Sequence, residues 1–165
     1  MKRIGLISDT HSFLDPRFER LFADVDEVWH AGDIGDMRVL DKLRSFKLLR
    51  AVYGNIDDRL IRCELKEIER FECEGADVLM THIGGYPGRY SPKVKEIMRT
   101  NPPKIMVAGH SHILKVIFDH KNNCLHLNPG ACGMSGFHQV RTALRFAIDC
   151  GEVSEMEIIE LGSRR

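Results

Sequence analysis

Seven side chains that can bind metal ions follow short apolar runs in this chain. Each run is typical of a buried strand, and the polar group that follows it is a carboxylate, an imidazole or an amide. The seven residues are Asp9, His11, Asp33, Asn55, His82, His110 and His112. Glycines at positions 32, 54 and 109 precede three of them and let the backbone turn sharply. Oxygen and nitrogen ligands without thiolate predict a site for Mn, Fe, Zn, Ni or Co.

This set of ligands is larger than one ion requires. An ion of this class takes about four to six ligands, so the set suits two ions roughly 3.5–4 Å apart that share one carboxylate. Asp33 is central in chain order and is the candidate bridge. Two such ions would lower the pKa of a bridging water and would keep enough positive charge to attract a phosphoryl group. The predicted chemistry is in-line hydrolysis of a phosphate ester.

The first half of the chain alternates between strands and helices. Buried strands are predicted at 4–7, 28–29 and 48–53. A helix is expected after Asp15-Pro16, with the aspartate as its N-cap and the proline at the first helical position. A second helix is expected after Asp36. This alternation is typical of an α/β fold with parallel strands.

The second half of the chain adds antiparallel hairpins. Buried strands are predicted at 78–80 and 105–108, and hairpin or extended segments at 60–73, 114–127 and 139–161. A helix is expected to begin at Ser91-Pro92 and to end before Pro102. Two mixed sheets packed face to face, with helices outside, would accommodate both halves. We therefore predict an α/β fold in a single domain over residues 1–165.

The composition excludes several classes of protein. The apolar share is 43%, which is enough for a core, and the 24 basic residues balance the 24 acidic ones. A balanced charge argues against a nucleic-acid partner and against binding to an anionic membrane. The apolar run after Met1 is too short for a signal peptide or a membrane span, so a cytoplasmic location is expected. The five scattered cysteines are expected to be buried free thiols.

Five phrases of this sequence resemble the calcineurin-like metallophosphoesterase superfamily, in the order that the family shows. They are Asp9-Thr10-His11, Gly32-Asp33, Gly54-Asn55, Thr81-His82 and Gly109-His110-Ser111-His112. The short length and Asn128-Pro129-Gly130 look like the small bacterial and archaeal phosphodiesterase branch of that superfamily. The resemblance implies a four-layer αββα sandwich of two mixed β-sheets flanked by helices. It also implies a binuclear metal-dependent phosphodiesterase that uses a metal-bridging hydroxide on a small-molecule phosphate ester, with Mn the expected metal.

The resemblance also implies how the ligands divide between two divalent ions. One ion would be held by Asp9, His11, Asp33 and His112, and the other by Asp33, Asn55, His82 and His110. The chain departs from the family pattern in two places. Ile56 follows Asn55 where many members have a histidine that protonates the leaving group, and Ile83 follows His82 where glycine is common.

Other polar residues carry weaker expectations. Asp57 is expected to fix the Asn55 loop or a ligand imidazole, or to form a turn. The remaining histidines are expected to be structural, and they are His30, His120, His126 and His138. Two alternative functions stay open, a non-catalytic scaffold with this fold and a nuclease. Antiparallel edge strands could also pair between subunits in a homo-oligomer.

Overall fold

A computed structural model of the chain describes residues 1–164 as two five-stranded mixed sheets with four helices. In chain order the elements are β1 (Lys2–Ile7), α1 (Phe18–Leu21), β2 (Glu27–His30), α2 (Met37–Phe46), β3 (Leu48–Ala51), α3 (Arg59–Glu64), β4 (Ile68–Cys73), β5 (Ala76–Thr81), β6 (Gly85–Tyr86), β7 (Arg89–Tyr90), α4 (Pro92–Thr100), β8 (Ile105–Val107), β9 (Leu114–Asp119), β10 (Cys124–Pro129), β11 (Val140–Asp149) and β12 (Glu152–Ser163). Strands β6 and β7 form a separate small hairpin.

Each sheet combines three parallel strands with two strands that join through antiparallel pairing, both on one side of the first sheet and one at each edge of the second. The first sheet has the order β12-β11-β1-β2-β3, and β1, β2 and β3 are parallel. The second sheet has the order β4-β5-β8-β10-β9, and β5, β8 and β10 are parallel. Because the carboxyl ends of parallel strands lie at one edge of a sheet, the loops after these six strands meet at one end of the molecule.

Apolar side chains join four layers. Between the sheets, Ile4 and Trp29 of the first sheet pack with Val78 and Val107 of the second. On the outer face of the first sheet lies α2, whose buried face was expected from its sequence pattern. The outer face of the second sheet carries α4. The predicted four-layer αββα sandwich is therefore confirmed.

Three local predictions were wrong. Residues 60–73 were expected to be extended, but the segment begins with α3, because the Asp58 carboxylate accepts a hydrogen bond from the Ile61 amide and caps a short helix. Asp15 does not cap a helix, since α1 begins at Phe18 and the Asp15 carboxylate instead binds Arg17 and Arg141. All five cysteines are free, but two of them, Cys63 and Cys150, are exposed rather than buried.

The structure also bears on the membrane prediction. Within residues 1–164, none of the helices has the length and apolar character needed to cross a bilayer.

Candidate metal centre

The predicted ligands lie on loops at the carboxyl ends of the parallel strands, and most of them have a left-handed backbone. The φ angles are 55° at Asp9, 46° at His11, 57° at Asp33, 69° at His110 and 58° at His112. Each such conformation costs roughly 1–3 kcal/mol for a residue other than glycine, so the surrounding contacts must hold it. Hydrogen bonds between loops do this: the Asp9 amide donates to Gly32 O at 3.0 Å and the His11 amide to Asp33 O at 3.0 Å.

Six of these residues form two groups of three whose ligand atoms are close together. In each group, one ligand atom per residue lies within 4.8 Å of the others. Cluster one contains Asp9, His11 and His112, and cluster two contains Asp33, His82 and His110. Asp9, Asp33 and His82 are buried, whereas His110 is exposed, so the site opens to solvent on the side of cluster two.

The two clusters adjoin at Asp33. Its Oδ2 atom lies 3.2 Å from His82 Nε2 in its own cluster and 3.6 Å from His11 Nε2 in the other. Asp9 Oδ1 lies 3.1 Å from His112 Nε2 and 3.8 Å from His82 Nε2. One carboxylate oxygen of Asp33 therefore faces both clusters, which is the placement that a shared ligand requires.

Unpartnered polar atoms at this site fit divalent cations. Among the residues that the structure describes, four buried side-chain nitrogen or oxygen atoms have no hydrogen-bond partner, and three of them are Asp9 Oδ1, His11 Nε2 and His82 Nε2. Orphaned polar atoms are rare in protein interiors because each costs about 1–3 kcal/mol. Here three such atoms lie close together beside Asp9 and Asp33. Bound metal ions would give each of them a partner.

The charges within the site polarise one another. Burial raises the pKa of Asp9, but the imidazoles of His11 and His112 outweigh it and hold that pKa well below the ordinary value. The Asp9 carboxylate in turn raises the pKa of His11. Burial disfavours a charged His82, yet Asp33 and Asp9 raise its pKa. Metal binding therefore competes with protons for these imidazoles, and affinity should fall as pH is lowered.

Asn55 lies in a loop beside cluster two and remains the seventh predicted ligand. Its two neighbours in the chain both contact Asp33. The Ile56 amide donates to Asp33 Oδ1 at 3.0 Å, and a Cβ added to Gly54 would lie 2.0 Å from the same oxygen. Glycine at position 54 is thus required for the loop to approach the carboxylate.

Asp57 holds the backbone of two loops next to cluster two. It is buried, and its two carboxylate oxygens accept hydrogen bonds from the Gly35 and Gly54 amides, each at 2.7 Å. Gly35 belongs to the loop after Asp33, and Gly54 precedes Asn55. Asp57 therefore joins two ligand-bearing loops, and its side chain is committed to backbone amides.

His138 is a residue of the site that sequence reasoning missed. It was expected to be structural, but its Nδ1 lies 3.1 Å from His112 Nδ1, and its Nε2 lies 2.9 Å from Gly133 O. Burial lowers the pKa of His138. The signal available in the sequence was weak, because the two histidines are 26 positions apart.

Two of the other three histidines are structural, as expected. His30 is buried, accepts a hydrogen bond from the Gly32 amide at 3.1 Å, and has its pKa lowered by burial to about 4. His126 is buried with its Nε2 2.9 Å from Gly85 O. His120 is exposed on the turn after β9.

Comparison with known proteins identifies the family. The model of the calcineurin-like phosphoesterase superfamily domain matches residues 1–151. The chain belongs to the calcineurin-like phosphoesterase superfamily. The superfamily binds divalent metals, and the two clusters described above are the candidate ligands in this member.

Two relatives of similar sequence come from archaea. The chain is 33% identical over 138 residues to a Methanocaldococcus jannaschii protein named a probable metallophosphoesterase, covering 78% of this chain and 67% of that protein. It is 27% identical over 165 residues to a Methanothermobacter thermautotrophicus protein of the same name, covering 97% and 93%. Among solved structures, Vps29 from Entamoeba histolytica complexed with zinc has a TM-score of 0.74 at 19% identity, covering 96% of this chain and 98% of that one. At this identity the likeness shows the fold alone.

The two departures from the superfamily pattern lie at the rim of the site. Ile56 is 44% exposed and contributes only its backbone amide to Asp33. Ile83 is 48% exposed and lies in the bend that precedes Gly84. A Cβ at Gly84 would lie 2.6 Å from Met106 Cε, so this glycine lets the loop pack against β8.

A pocket of about 480 Å³ opens beside cluster two. It extends from Asn55 and His82 to the first turn of α4. Much of its wall is apolar and comes from Tyr53, Ile68, Ile83, Pro92 and Val94.

The two basic side chains of this pocket, Lys93 and Arg62, already have hydrogen-bond partners. Lys93 Nζ binds both carboxylate oxygens of Glu67 at 2.7 and 2.8 Å, and the Arg62 guanidinium donates to the backbone carbonyls of Asp57 and Asn55.

Proposed function

We propose that this chain is a binuclear metal-dependent phosphoesterase with a preference for phosphodiesters. The observation that carries the proposal is the convergence of three unpartnered buried ligand atoms on two adjoining clusters. In this assignment Asp9, His11, Asp33 and His112 hold one divalent ion, and Asp33, Asn55, His82 and His110 hold the other. Manganese is the proposed metal, with Fe, Zn, Ni and Co as alternatives that the same nitrogen and oxygen ligands accept.

The residues around the proposed ions have separate tasks. When bound, two divalent ions supply a water of lowered pKa as nucleophile and positive charge for the phosphoryl oxygens. Asp33 fixes the spacing of the two clusters through one oxygen, while its other oxygen is held by the Ile56 amide at 3.0 Å. The exposed side of His110 leaves an approach for the substrate.

Ile56 limits the substrates that we propose. An exposed isoleucine cannot donate a proton to a departing alkoxide, and it stands next to Asn55. Esters whose leaving groups depart without protonation, such as aryl esters, should therefore be cleaved much faster than alkyl esters.

The pocket beside cluster two favours a diester over a monoester. It adjoins two proposed ligands of the second ion, Asn55 and His82, so it can receive an organic group attached to the reacting phosphorus. Its lysine is neutralised by Glu67 and its arginine is held by backbone carbonyls, so the pocket offers little to a second phosphate. An uncharged, largely apolar substituent fits this lining best.

Hydrolysis of bis(p-nitrophenyl) phosphate tests the proposal. Protein stripped with a chelator and reloaded with Mn²⁺ should release nitrophenol, and should do so faster from this diester than from p-nitrophenyl phosphate. Asp33→Ala and His110→Ala should each reduce kcat/KM by at least about 100-fold, because groups that merely orient ligands already cost 10–100-fold. The matched control His120→Ala, at an exposed histidine, should retain full activity.

The main alternative is a non-catalytic scaffold. A Vps29 of the same fold was solved with zinc, so metal content alone does not separate a scaffold from an enzyme. Catalytic turnover separates the two. Wild-type protein that binds two ions per chain but cleaves no activated mono- or diester with Mn, Ni, Fe, Co or Zn would favour the scaffold. The third reading, a nuclease, would gain support only from salt-sensitive DNA binding.

A further inference from the structure

We propose that His138 is a positioning residue that orients His112 and fixes its tautomer for metal binding. The proposal rests on the proposed function in one respect, namely that His112 ligates an ion through Nε2. It concerns a side chain that lies outside both ligand clusters, in the loop between β10 and β11.

The hydrogen-bond partners of the two imidazoles determine where their protons lie. The Gly133 carbonyl can only accept, so His138 Nε2, at 2.9 Å, carries a proton and donates it. A neutral His138 then has a bare Nδ1, which accepts a hydrogen bond from His112 Nδ1 at 3.1 Å. A proton on His112 Nδ1 leaves Nε2 with a free lone pair, and this atom faces Asp9 Oδ1 at 3.1 Å. Both lone pairs are then directed to the same space, where one metal ion can bind the two atoms.

The loop that carries His138 is fitted closely to the same pair of rings. A Cβ at Gly136 would lie 2.1 Å from His112 Nδ1 and 3.1 Å from His138 Nδ1, so only glycine allows the backbone to pass there. The Gly133 amide also donates to Asp9 O at 3.1 Å. The loop therefore connects two proposed ligands of cluster one, the Asp9 backbone at Gly133 and the His112 side chain at His138.

A purely structural role explains His138 less well. Its side chain is only partly buried. Its backbone is anchored separately, because the Arg164 guanidinium donates to His138 O at 2.8 Å. What the imidazole adds is a hydrogen-bonded link between Gly133 and His112. Partners of this kind set the orientation and basicity of a ligating histidine.

Three substitutions separate the link from ring volume. His138→Phe keeps the ring and removes both hydrogen bonds. His138→Asn places an acceptor oxygen near the Nδ1 position, and His138→Gln places a donor near Nε2 without that acceptor. We expect His138→Phe and His138→Gln to weaken the tighter-bound Zn²⁺ or Mn²⁺ by about 10–100-fold in chelator competition, and His138→Asn to stay within about threefold of wild type. His120→Phe is the matched control for loss of an imidazole at an exposed site.

A direct measurement on the wild-type protein needs no variant. Long-range ¹H–¹⁵N correlation spectra of the zinc-loaded protein should show His138 protonated at Nε2 and His112 protonated at Nδ1. A His138 proton at Nδ1 would overturn the proposal, as would wild-type affinity in a folded His138→Phe protein. If wild-type protein bound no metal, the proposed function would fail as well. Two bound ions with unchanged affinity in His138→Phe would refute the positioning role alone.

Discussion

The side chains that hold the backbone matter as much at this site as the ligands themselves. Asp57 binds no ligand side chain, yet both of its oxygens accept amide protons from loops that carry ligands. Because the same carboxylate holds Gly35 and Gly54, it sets the distance between the Asp33 loop and the Asn55 loop. Asp57 was expected to fix the Asn55 loop, and these contacts support such a positioning role.

Replacing Asp57 should therefore loosen cluster two. In Asp57→Asn, one acceptor oxygen becomes an NH₂ group that faces a backbone N–H, which costs about 1–3 kcal/mol for the unsatisfied donor. We expect loss of the more weakly bound ion and a fall in kcat/KM of about 10-fold or more, measured by metal analysis after dialysis and by nitrophenol release. Asp41→Asn, at an exposed aspartate on α2, is the matched control and should behave as wild type. Full metal retention in Asp57→Asn would contradict this role.

The residues of the two candidate clusters could be singled out from the sequence because each lies soon after the end of a strand. Position along the chain then determines position in space, as it does for Asp9 after β1 and His110 after β8. The role of His138 could not be predicted in this way. Its contact with His112 depends on the path of a loop that only the folded chain defines, and on a glycine at 136 whose need appears only when the rings are in place.

The strands were easier to predict from sequence than the short helices. Long alternating or apolar runs identified β11, β5 and β1, because burial in a sheet leaves a clear pattern. Helix α3 has only six residues and buries only Ile61, so its sequence carries almost no helical periodicity. Its cap at Asp58 was the available signal. Helix α1 is four residues long and is held by the loop before it rather than by its own pattern.

The loop before α1 is held by a buried ion pair between Asp15 and Arg141. The Asp15 carboxylate receives Arg141 of β11 at 2.9 Å and Arg17 at 2.8 Å, and both guanidinium groups also donate to Leu161 O of β12 at 2.6 Å. Asp15 and Arg141 are both buried. One carboxylate thus ties the segment before α1 to the outer strands of the first sheet, and removing it would leave Arg141 buried without its counter-charge.

This pair should make stability depend on pH in the acidic range. The hydrogen bonds from Arg17, followed by those from Arg141, hold the pKa of Asp15 well below its ordinary value of 3.8. Because the folded-state pKa is lowered, the stabilisation is present above about pH 4 and is lost as pH falls further. Asp15→Asn should lower the free energy of unfolding by about 1–3 kcal/mol at pH 7. Its difference from wild type should shrink below pH 4, as measured by urea unfolding at several pH values.

A suitable comparison for this measurement is Asp36→Asn, at the partly exposed N-cap of α2. It removes an aspartate whose carboxylate also pairs with an arginine, but whose partner Arg38 is solvated. Surface pairs of this kind contribute about 0–1 kcal/mol. A difference between Asp15→Asn and wild type that stayed constant from pH 7 to pH 3 would argue against the ion pair as the source.

Across the whole molecule, the metal centre is the point at which the two sheets meet. Cluster one takes Asp9 and His11 from the first sheet and His112 from the second, and cluster two takes Asp33 from the first and His82 and His110 from the second. A bound ion in either cluster would therefore link the two sheets at their carboxyl ends. The unfolded chain cannot form such a site, so ion binding should be coupled to the stability of the entire fold.

Metal removal should accordingly lower the melting temperature. A ligand that binds only the folded state stabilises it by about 2.7 kcal/mol at 100 times its Kd, and each kcal/mol shifts Tm by about 2–4 °C for a chain of this length. We expect calorimetry to show Tm falling by roughly 5–10 °C after chelation and recovering with added Mn²⁺ or Zn²⁺. Asp33→Ala, which removes the oxygen that faces both clusters, should lose most of this recovery, while His120→Ala should keep it. An equal Tm with and without metal in the wild-type protein would show that these clusters do not bind ions in the folded chain.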